Sequence, residues 1–378
     1  MTNVVIAGYA RSPFHLAGKG ELARVRPDDL AAQVIRGLID RTGVDPAKIE
    51  DIVLGCAFPE GEQGLNVARM IGLLADLPLS VGGMTVNRFC GSSMSAIHIA
   101  MGQIAIGAGE AFICAGLESM SRIPMGGYNP MPSPELAAKN AGAYMGMGQT
   151  AENVAQKYQI TRAEQDAFAV KSQRKAAAAR DGGRLSDEIV PIRTKKGEVM
   201  QDGIIRADTT EEVLAGLKPA FSADGSVTAG TASPLTDGAS AVLVTSEEFA
   251  TANGLKILAY IRSVGIAGCE PETMGLGPIG ASRKALERAG ISAADLDVVE
   301  INEAFASQAI ACIRDLGLKD GTINLDGGAI AIGHPLGATG ARIVGKAAAL
   351  LEREGGRYAL ATQCIGGGQG IATVLERA

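Results

Sequence analysis

Cys90 stands where a predicted strand gives way to a predicted helix, in the segment MTVNRFCGSSMSAIH. The N-terminus of a helix carries unpaired N–H groups and the positive end of the helix dipole, and Ser92 or Ser93 could cap it. These groups favour the thiolate form of a nearby cysteine, which is its nucleophilic form. The position therefore predicts a nucleophile, although a buried structural cysteine is the commoner fate of a free thiol.

A cysteine nucleophile usually needs a base, and the sequence holds three histidines. His98 lies in an apolar helical segment that indicates core packing, and His15 follows RSPF near the N-terminus. His334 lies in GGAIAIGHPLGATGAR, where the glycines allow close backbone approach and exposed N–H groups. His334 is therefore the candidate base, with an ordinary loop histidine as the alternative.

Two further polar positions follow predicted strands. Cys364 opens CIGGGQG after RYALATQ, and the glycines from Gly366 onward could offer N–H donors to an oxyanion. Asn302 follows VVEI, and ligands of α/β sheets bind at the carboxyl ends of strands. A packing turn and a solvated turn are the respective alternatives.

Composition limits the class of protein. The chain has 378 residues, of which 47% are hydrophobic and 20% charged, so we expect a globular protein of two or three domains. A net charge of −6 argues against a general attraction to nucleic acid. The six cysteines form no CxxC pair, so we expect no metal site and a reduced, cytoplasmic setting. We expect no membrane span, because polar residues interrupt the longest apolar stretch.

The elements around these residues alternate between strand and helix. Strands are predicted at 4–10, 49–57, 84–87 and 111–119, and Asp28 to Arg41 has helical periodicity. This order predicts an α/β fold with a parallel sheet covered on both faces. Residues 120–150 show little regular period, and a helix with a Thr161–Glu164 capping box follows them.

The last third of the chain repeats the pattern of the first. GLIDRTGVDPAKIEDIVLG (37–55) aligns with KALERAGISAADLDVVEIN (284–302), so that Gly43 falls on Gly290. We therefore predict one α/β unit used twice, with a pseudo-twofold axis that brings Cys90 and His334 together. The predicted division is an N-terminal half (1–118 and 236–254), an inserted loop subdomain (119–235) and a C-terminal half (255–378).

These segments together resemble the thiolase family over nearly the whole chain. The resemblance implies the thiolase fold, a five-layer αβαβα sandwich of two duplicated halves. It also implies an acyltransferase, most like the degradative 3-ketoacyl-CoA thiolases. The strings that carry the resemblance are NRFCGSS (87–93), GQTAENVA (148–155), QDAFA (165–169), TAGTASPLTDGASA (228–241), MGLGPIGASRKAL (274–286), INEAFA (301–306), GGAIAIGHPLGATGAR (327–342) and CIGGGQGIA (364–372).

The resemblance implies a role for each candidate residue. Cys90 is acylated, and His334 activates it and helps to hold the thioester oxygen. Cys364 is the acid and base at the acetyl carbon and for incoming coenzyme A. Asn302 positions a water in a first oxyanion hole, and the N–H groups of Cys90 and Gly366 form a second.

The resemblance also implies a site for coenzyme A, which is a co-substrate here and not a permanently bound cofactor. The residues expected to contact coenzyme A are Arg206, Leu217, Ser233, Met147 and Phe305. Two positions depart from some relatives: Gly146 stands where acetoacetyl-CoA-forming thiolases carry a histidine, and Val213 replaces a serine. Gly146 and the segments PMGGYNPMPSP, SPLTDGASA and GQGIATVLER, which look more like the degradative thiolases, favour thiolysis of medium or longer 3-ketoacyl-CoA, as in fatty-acid β-oxidation, to acetyl-CoA and a shortened acyl-CoA.

Other activities and partners stay open at this point. Formation or cleavage of acetoacetyl-CoA is the first alternative, and a non-catalytic lipid- or acyl-CoA-binding relative is the second. A decarboxylating ketoacyl synthase needs a second histidine where Cys364 stands. The family implies a homodimer or homotetramer, and some degradative members join a hydratase/dehydrogenase subunit.

Overall fold

The computed structural model describes residues 2–378. The strands are β1 (Val4–Arg11), β2 (His15–Leu16), β3 (Asp51–Gly55), β4 (Gly82–Val86), β5 (Ala111–Ser119), β6 (Ile192–Thr194), β7 (Gly197–Val199), β8 (Thr236–Ser246), β9 (Ala259–Gly268), β10 (Val298–Ile301), β11 (Tyr358–Ile365) and β12 (Gln369–Arg377). The helices are α1 (Pro27–Thr42), α2 (Val67–Leu74), α3 (Ser92–Ala105), α4 (Pro134–Lys139), α5 (Met147–Lys157), α6 (Arg162–Asp181), α7 (Glu211–Ala215), α8 (Glu247–Ala252), α9 (Gly277–Ala289), α10 (Ala306–Leu316), α11 (Ala329–Ile332) and α12 (Thr339–Glu354).

The sheet has the same arrangement in both halves of the chain. The first half has the order β4-β3-β5-β8-β1, and the second continues as β9-β12-β11-β10. In each half one late strand, β8 or β12, runs antiparallel to its neighbours. Strand β3 pairs in parallel with β5, and β10 pairs in parallel with β11. The predicted α/β class is confirmed, but the expectation of a purely parallel sheet was wrong, because each half ends in an antiparallel return strand.

Helices and sheet form five layers with apolar cores between them. One core packs α1 and α2 on the outer face of the first half of the sheet. A second core contains α3 and α12, which contact each other and are covered by residues from both halves of the sheet. A third packs α9 and α10 on the outer face of the second half. The predicted αβαβα sandwich is confirmed, and Cys90 and His334 lie in the turns that lead into its central helices.

The duplication inferred from the sequence is visible in the backbone. Gly43 ends α1 and Gly290 ends α9, and both have φ of 69° in the left-handed region. That conformation favours glycine over residues with a Cβ. A short 3₁₀ turn follows each glycine, and the parallel strand β3 or β10 comes next.

The segment between β5 and β8 forms an insertion with α4 to α7 and the β6–β7 hairpin. The predicted capping box is confirmed, because Thr161 and Glu164 bond each other's backbone N–H at the start of α6. Helices α5 and α6 pack on α10 of the second half. The insertion therefore covers the carboxyl end of β10, and its predicted limits, 119–235, stay a prediction.

Buried charges also attach this insertion to the two halves. Arg11 of β1, which is fully buried, pairs with Glu188 at 2.7 Å and with Asp202 at 2.6 Å. Lys346 of α12 pairs with the same Glu188 at 2.9 Å and with Asp326 at 2.7 Å. Because removal of one partner would leave a buried charge uncompensated, these pairs fix how the insertion sits over the site. Within residues 2–378, no helix has the length and apolarity needed to cross a membrane.

We expect Gly340→Val to lower the free energy of unfolding by roughly 1–3 kcal/mol, because overpacking displaces neighbouring backbone. A Cβ at Gly340 in α12 would overlap the backbone nitrogen of Met94 in α3. Urea unfolding would measure the change. The control is Gly102→Ala in α3, where a Cβ meets nothing within 4 Å and helix propensity predicts a gain of about 1 kcal/mol. A gain at Gly340 as well would contradict this account of the central layer.

Candidate active site

A cavity of about 420 Å³ lies where the two halves meet the insertion. Cys90, His334 and Cys364 all line it, although they come from distant parts of the chain. The remaining lining is mostly apolar and comes largely from the insertion and the turn after β10: Met120, Met125, Gly146, Met147, Gly148, Gln149, Phe221, Ala232, Ser233, Pro234, Leu235, Met274, Ala304, Phe305 and Leu336. The predicted juxtaposition of the two sulfurs and the imidazole is therefore present.

A tight turn presents Cys90 to this cavity. Phe89 has φ of 44°, a left-handed value that is uncommon for a bulky residue. Ser92 holds the turn, because its Oγ accepts from the Arg88 N–H at 2.8 Å and donates to the Phe89 carbonyl at 2.6 Å. The expected serine cap of α3 was wrong: Gly91 is the N-cap, and Ser93 accepts a hydrogen bond from the Ala341 N–H of α12.

Burial decides the protonation state of Cys90. Desolvation raises the pKa of Cys90 to about 12, although the N–H groups of Gly366 and of Cys90 itself oppose the shift. The nearby Glu118 carboxylate raises this pKa further. Burial thus opposes the thiolate that the helix start favours, because the energy needed to bury a charge exceeds the benefit of two N–H donors. Cys90 rests as a thiol and needs a base to become nucleophilic.

His334 is set up to be that base. Its Nδ1 lies 2.6 Å from Thr339 Oγ1, and this hydroxyl donates its own proton to the Pro335 carbonyl at 3.1 Å. Thr339 must therefore accept from Nδ1–H, which leaves the lone pair on Nε2. Burial lowers the pKa of His334 to about 3, so the imidazole is neutral. A neutral imidazole with its lone pair on Nε2 can accept a proton from a thiol.

The side chain of Asn302 contacts His334. Its Nδ2 is 3.3 Å from His334 Nε2, so the amide can donate to that nitrogen. Its Oδ1 is buried and has no partner among residues 2–378. Since a buried polar atom needs a hydrogen bond, this oxygen can accept one from a ligand or a water. The asparagine therefore lies within reach of the base, as expected, although it does not line the cavity itself.

Cys364, near the end of β11, lines the cavity and pairs with Gly370 of β12. Burial raises the pKa of Cys364 well above its usual value, and the neighbouring Cys90 adds to the shift. The turn that follows needs glycine, because Gly367 and Gly368 have φ of 81° and 85°. Two buried thiols and a neutral imidazole thus share the cavity without a resting charge on any of them.

The residues predicted to contact coenzyme A fall into two groups. Ser233, Met147 and Phe305 line the cavity, and Ser233 Oγ donates to the Ala304 carbonyl at 3.1 Å. Arg206 and Leu217 lie on the exposed surface of the insertion, outside the cavity lining. The five contacts therefore stay predictions, with two of them beyond the enclosed part of the site.

Sequence reasoning missed several residues that shape this site. Thr339 orients His334, and Thr236 of β8 accepts from the His334 backbone N–H at 3.0 Å. Phe221 packs edge-on against Phe305, with ring centroids 5.8 Å apart. A hydroxyl at the start of the helix after His334 could have indicated Thr339. Nothing in the local pattern distinguished Thr236 or Phe221, since both come to the site by tertiary packing.

Comparison with known proteins agrees with this geometry. The profile described as "Thiolase, N-terminal domain" matches residues 4–248, and "Thiolase, C-terminal domain" matches residues 255–377. The chain belongs to the thiolase family. Thiolases are acyltransferases, so the enzyme class and fold inferred from the motifs are confirmed.

Two full-length relatives are similar to this thiolase. A protein of Bacillus subtilis (strain 168) named 3-ketoacyl-CoA thiolase is 45% identical over 389 residues. A protein of the same name from Shewanella baltica (strain OS155 / ATCC BAA-1091) is 48% identical over 387 residues. In both cases the match covers 100% of this chain and 100% of the relative.

We expect Thr339→Val to lower kcat by roughly tenfold to a hundredfold, because loss of the Nδ1 acceptor releases the imidazole tautomer and orientation. Thr339→Ser keeps the hydroxyl and should retain most of the activity. Steady-state kinetics on both variants would measure the difference, with urea unfolding as a check on folding. Equal losses in the two variants would show that packing of the methyl group, and not the hydroxyl, is what matters.

Proposed function

We propose that this thiolase cleaves 3-ketoacyl-CoA with coenzyme A, giving acetyl-CoA and a shortened acyl-CoA through an acyl thioester on Cys90. The observation that carries the proposal is the meeting of Cys90, His334 and Cys364 in one apolar cavity. The names of the full-length relatives support the same reaction. A binding protein without activity would have no need of two buried thiols beside an oriented base.

The first half of the reaction uses the neutral base. Nε2 of His334 takes the proton of Cys90 as the sulfur attacks the C3 carbonyl, and the oxygen becomes an alkoxide. Burial disfavours both a free thiolate and an imidazolium, so proton transfer is favourable only while the new bond forms. The N–H groups of Cys90 and Gly366 would stabilise such charge, and the Asn302 amide beside His334 Nε2 would position a water for the same purpose.

The second half uses Cys364. Collapse of the alkoxide expels the enolate of acetyl-CoA, and the Cys364 thiol gives it a proton and becomes a thiolate. That thiolate takes the proton of an incoming coenzyme A thiol, whose sulfur attacks the acyl group on Cys90. The Cys90 sulfur then leaves and takes back the proton that His334 holds, so that all three side chains return to their resting forms. The high pKa of Cys364 in the free protein matches its role, because a strong base is needed to deprotonate a thiol. Coenzyme A is a co-substrate, and none of these steps uses a permanently bound cofactor.

The cavity suits the apolar parts of the substrate. Phe305 and Met147 would contact pantetheine, with Ser233 beside them. Arg206, on the exposed surface of the insertion, would contact the adenine end of coenzyme A, and Leu217 offers a further apolar contact there. Charge outside and apolar surface inside match a ligand with a polar nucleotide and a long arm.

The lining also favours medium or longer acyl chains, as in the degradative direction. Met125 and Leu235 line the cavity while 43% and 49% exposed, so its apolar wall continues to the surface. A Cβ at Gly146 would meet nothing within 4 Å, which leaves room where some relatives carry a histidine. Acetoacetyl-CoA remains the alternative substrate, and the ratio of rates on acetoacetyl-CoA and 3-ketodecanoyl-CoA distinguishes the two.

We propose a homodimer, which could pair further into a tetramer. Strand β4 is the edge of the sheet beside the Cys90 turn, and its backbone is open to another chain. Exposed apolar side chains flank it, among them Leu65 at 88% and Leu79 at 78%. Such an edge is normally covered. A hydratase/dehydrogenase partner and a cytoplasmic location stay predictions.

We expect Cys90→Ser to abolish thiolysis and formation of the acyl-enzyme, because the nucleophile is lost. Cys364→Ala should still acylate Cys90 when mixed with an acyl-CoA, but should not complete turnover. Loss of ketoacyl thioester absorbance measures turnover, and mass spectrometry of the intact protein measures acylation. The matched control is Cys114→Ala, a buried thiol of β5 outside the cavity lining. Acylation that survives Cys90→Ser and disappears in Cys364→Ala would reverse the two roles.

We expect Leu79→Lys combined with Leu65→Lys to shift the protein from dimer toward monomer, because the charges would have to be buried at the edge of β4. Light scattering after gel filtration measures the mass. Ile106→Lys is the control, since Ile106 is 81% exposed at the opposite end of α3 from Cys90. A wild-type protein that elutes as a monomer would exclude the proposed dimer.

A further inference from the structure

Glu118 is a buried carboxylate that the reaction described above does not use. It lies one residue before the end of β5 and is almost fully buried. In the first half of the chain it accepts hydrogen bonds from the Ala57 N–H at 2.8 Å, the Phe58 N–H at 3.3 Å and Gln63 Nε2 at 2.9 Å. It therefore holds the turn that follows β3.

The same carboxylate reaches the turn that carries His334. Its Oε2 accepts from the Gly337 N–H at 3.0 Å, and Gly337 lies between His334 and Thr339. There is no free space here, since a Cβ at Gly337 would lie 2.6 Å from the Leu117 carbonyl oxygen. A single side chain thus bonds backbone N–H groups from both halves of the fold.

The surroundings of Glu118 match an ionised carboxylate. Its partners are donors: three backbone N–H groups, the Gln63 amide, and the Cys56 thiol at 3.7 Å. A protonated acid would need an acceptor for its own O–H. Burial raises the pKa of Glu118, while the hydrogen bonds from Ala57, Gln63 and Gly337 lower it. The negative charge therefore depends on these donors, as in other sites built from backbone N–H groups.

Cys90 lies between the two turns that Glu118 joins. It packs in one apolar cluster with Ala57, which is itself one of the donors, and with Leu336, which precedes the donor Gly337. The titratable groups around the Cys90 sulfur are His334, Cys364 and Glu118, while Arg88 is turned away to Ser95 and Gln369. Glu118 is the one among these three that carries a resting charge.

We propose that Glu118 is a positioning residue of the reaction, which holds the turn of His334 against the turn beside Cys90 and whose negative charge opposes a free Cys90 thiolate. The effect on turnover rests on the proposed function, but the effect on the Cys90 thiol does not. The sulfur would remain a thiol until a bound substrate and His334 allow its proton to leave. This would keep Cys90, which lines the cavity, from reacting with other electrophiles.

The test compares Glu118→Gln with Glu118→Asp. Gln removes the charge and places a donor against N–H groups, whereas Asp keeps the charge but shortens the reach. We expect kcat to fall by roughly tenfold to a hundredfold in both, because small displacements of catalytic groups have effects of this size. Alkylation of Cys90 by iodoacetamide between pH 7 and 9, followed by peptide mass spectrometry, should become several-fold faster in Gln and stay near wild type in Asp.

Several outcomes distinguish this role from a purely structural one. Glu110→Gln, just before the start of β5, is the matched control and should change neither quantity. Equal acceleration of alkylation in Gln and Asp would indicate loosening, and would overturn the role of the charge. A kcat within twofold of wild type in both variants would overturn the positioning role. If Glu118→Gln fails to fold, the kcat of Glu118→Asp alone tests the positioning role. Alkylation of Cys90 needs no substrate, so failure of the proposed function would not affect that measurement.

Discussion

Close contact between glycine backbones of the two halves is the constraint on which the site depends. A Cβ at Gly116 of β5 would overlap the Gly337 carbonyl oxygen of the other half, and within the first half a Cβ at Gly55 of β3 would overlap the backbone of Ser93. At Gly340 the same is true of α12 against α3. Because no side chains separate these segments, the turns of Cys90 and His334 meet within one cavity. The duplicated fold thus brings residues from both halves of one chain into a single site.

That closeness also explains why the site rests without charge. Both sulfurs and the imidazole are removed from water, so burial raises the pKa values of the thiols and lowers that of His334. In the proposed reaction, ionic forms would become accessible only as bonds form, when N–H groups, the Asn302 amide and the substrate would share the charge. Thr339 contributes by fixing which ring nitrogen of His334 carries the lone pair. A preorganised and largely enclosed site of this kind lets groups that are weak acids transfer protons at neutral pH.

The insertion supplies the rest of the cavity and is held to the halves by polar contacts as well as by the apolar packing of α5 and α6 on α10. Arg11 and Lys346 reach it through Glu188, and Ser233 bonds the turn after β10. This attachment places Met147 over the two thiols while leaving Arg206 exposed at the surface. On the proposed function, recognition of coenzyme A would thereby be divided between an enclosed apolar part and an open charged part.

The sequence by itself determined the fold class, the duplication and which residues are the candidates for the reaction. Gly43 and Gly290 need the same left-handed backbone, and Cys90, His334 and Cys364 each stand in a glycine-rich turn that local chemistry can identify. Only the tertiary structure decided the protonation states of these three residues. The helix start at Cys90 predicted a thiolate, but its pKa depends on what covers the sulfur, and that cover comes from distant parts of the chain. The roles of Thr339 and Glu118 arise for the same reason, since desolvation and long-range hydrogen bonds have no local signature.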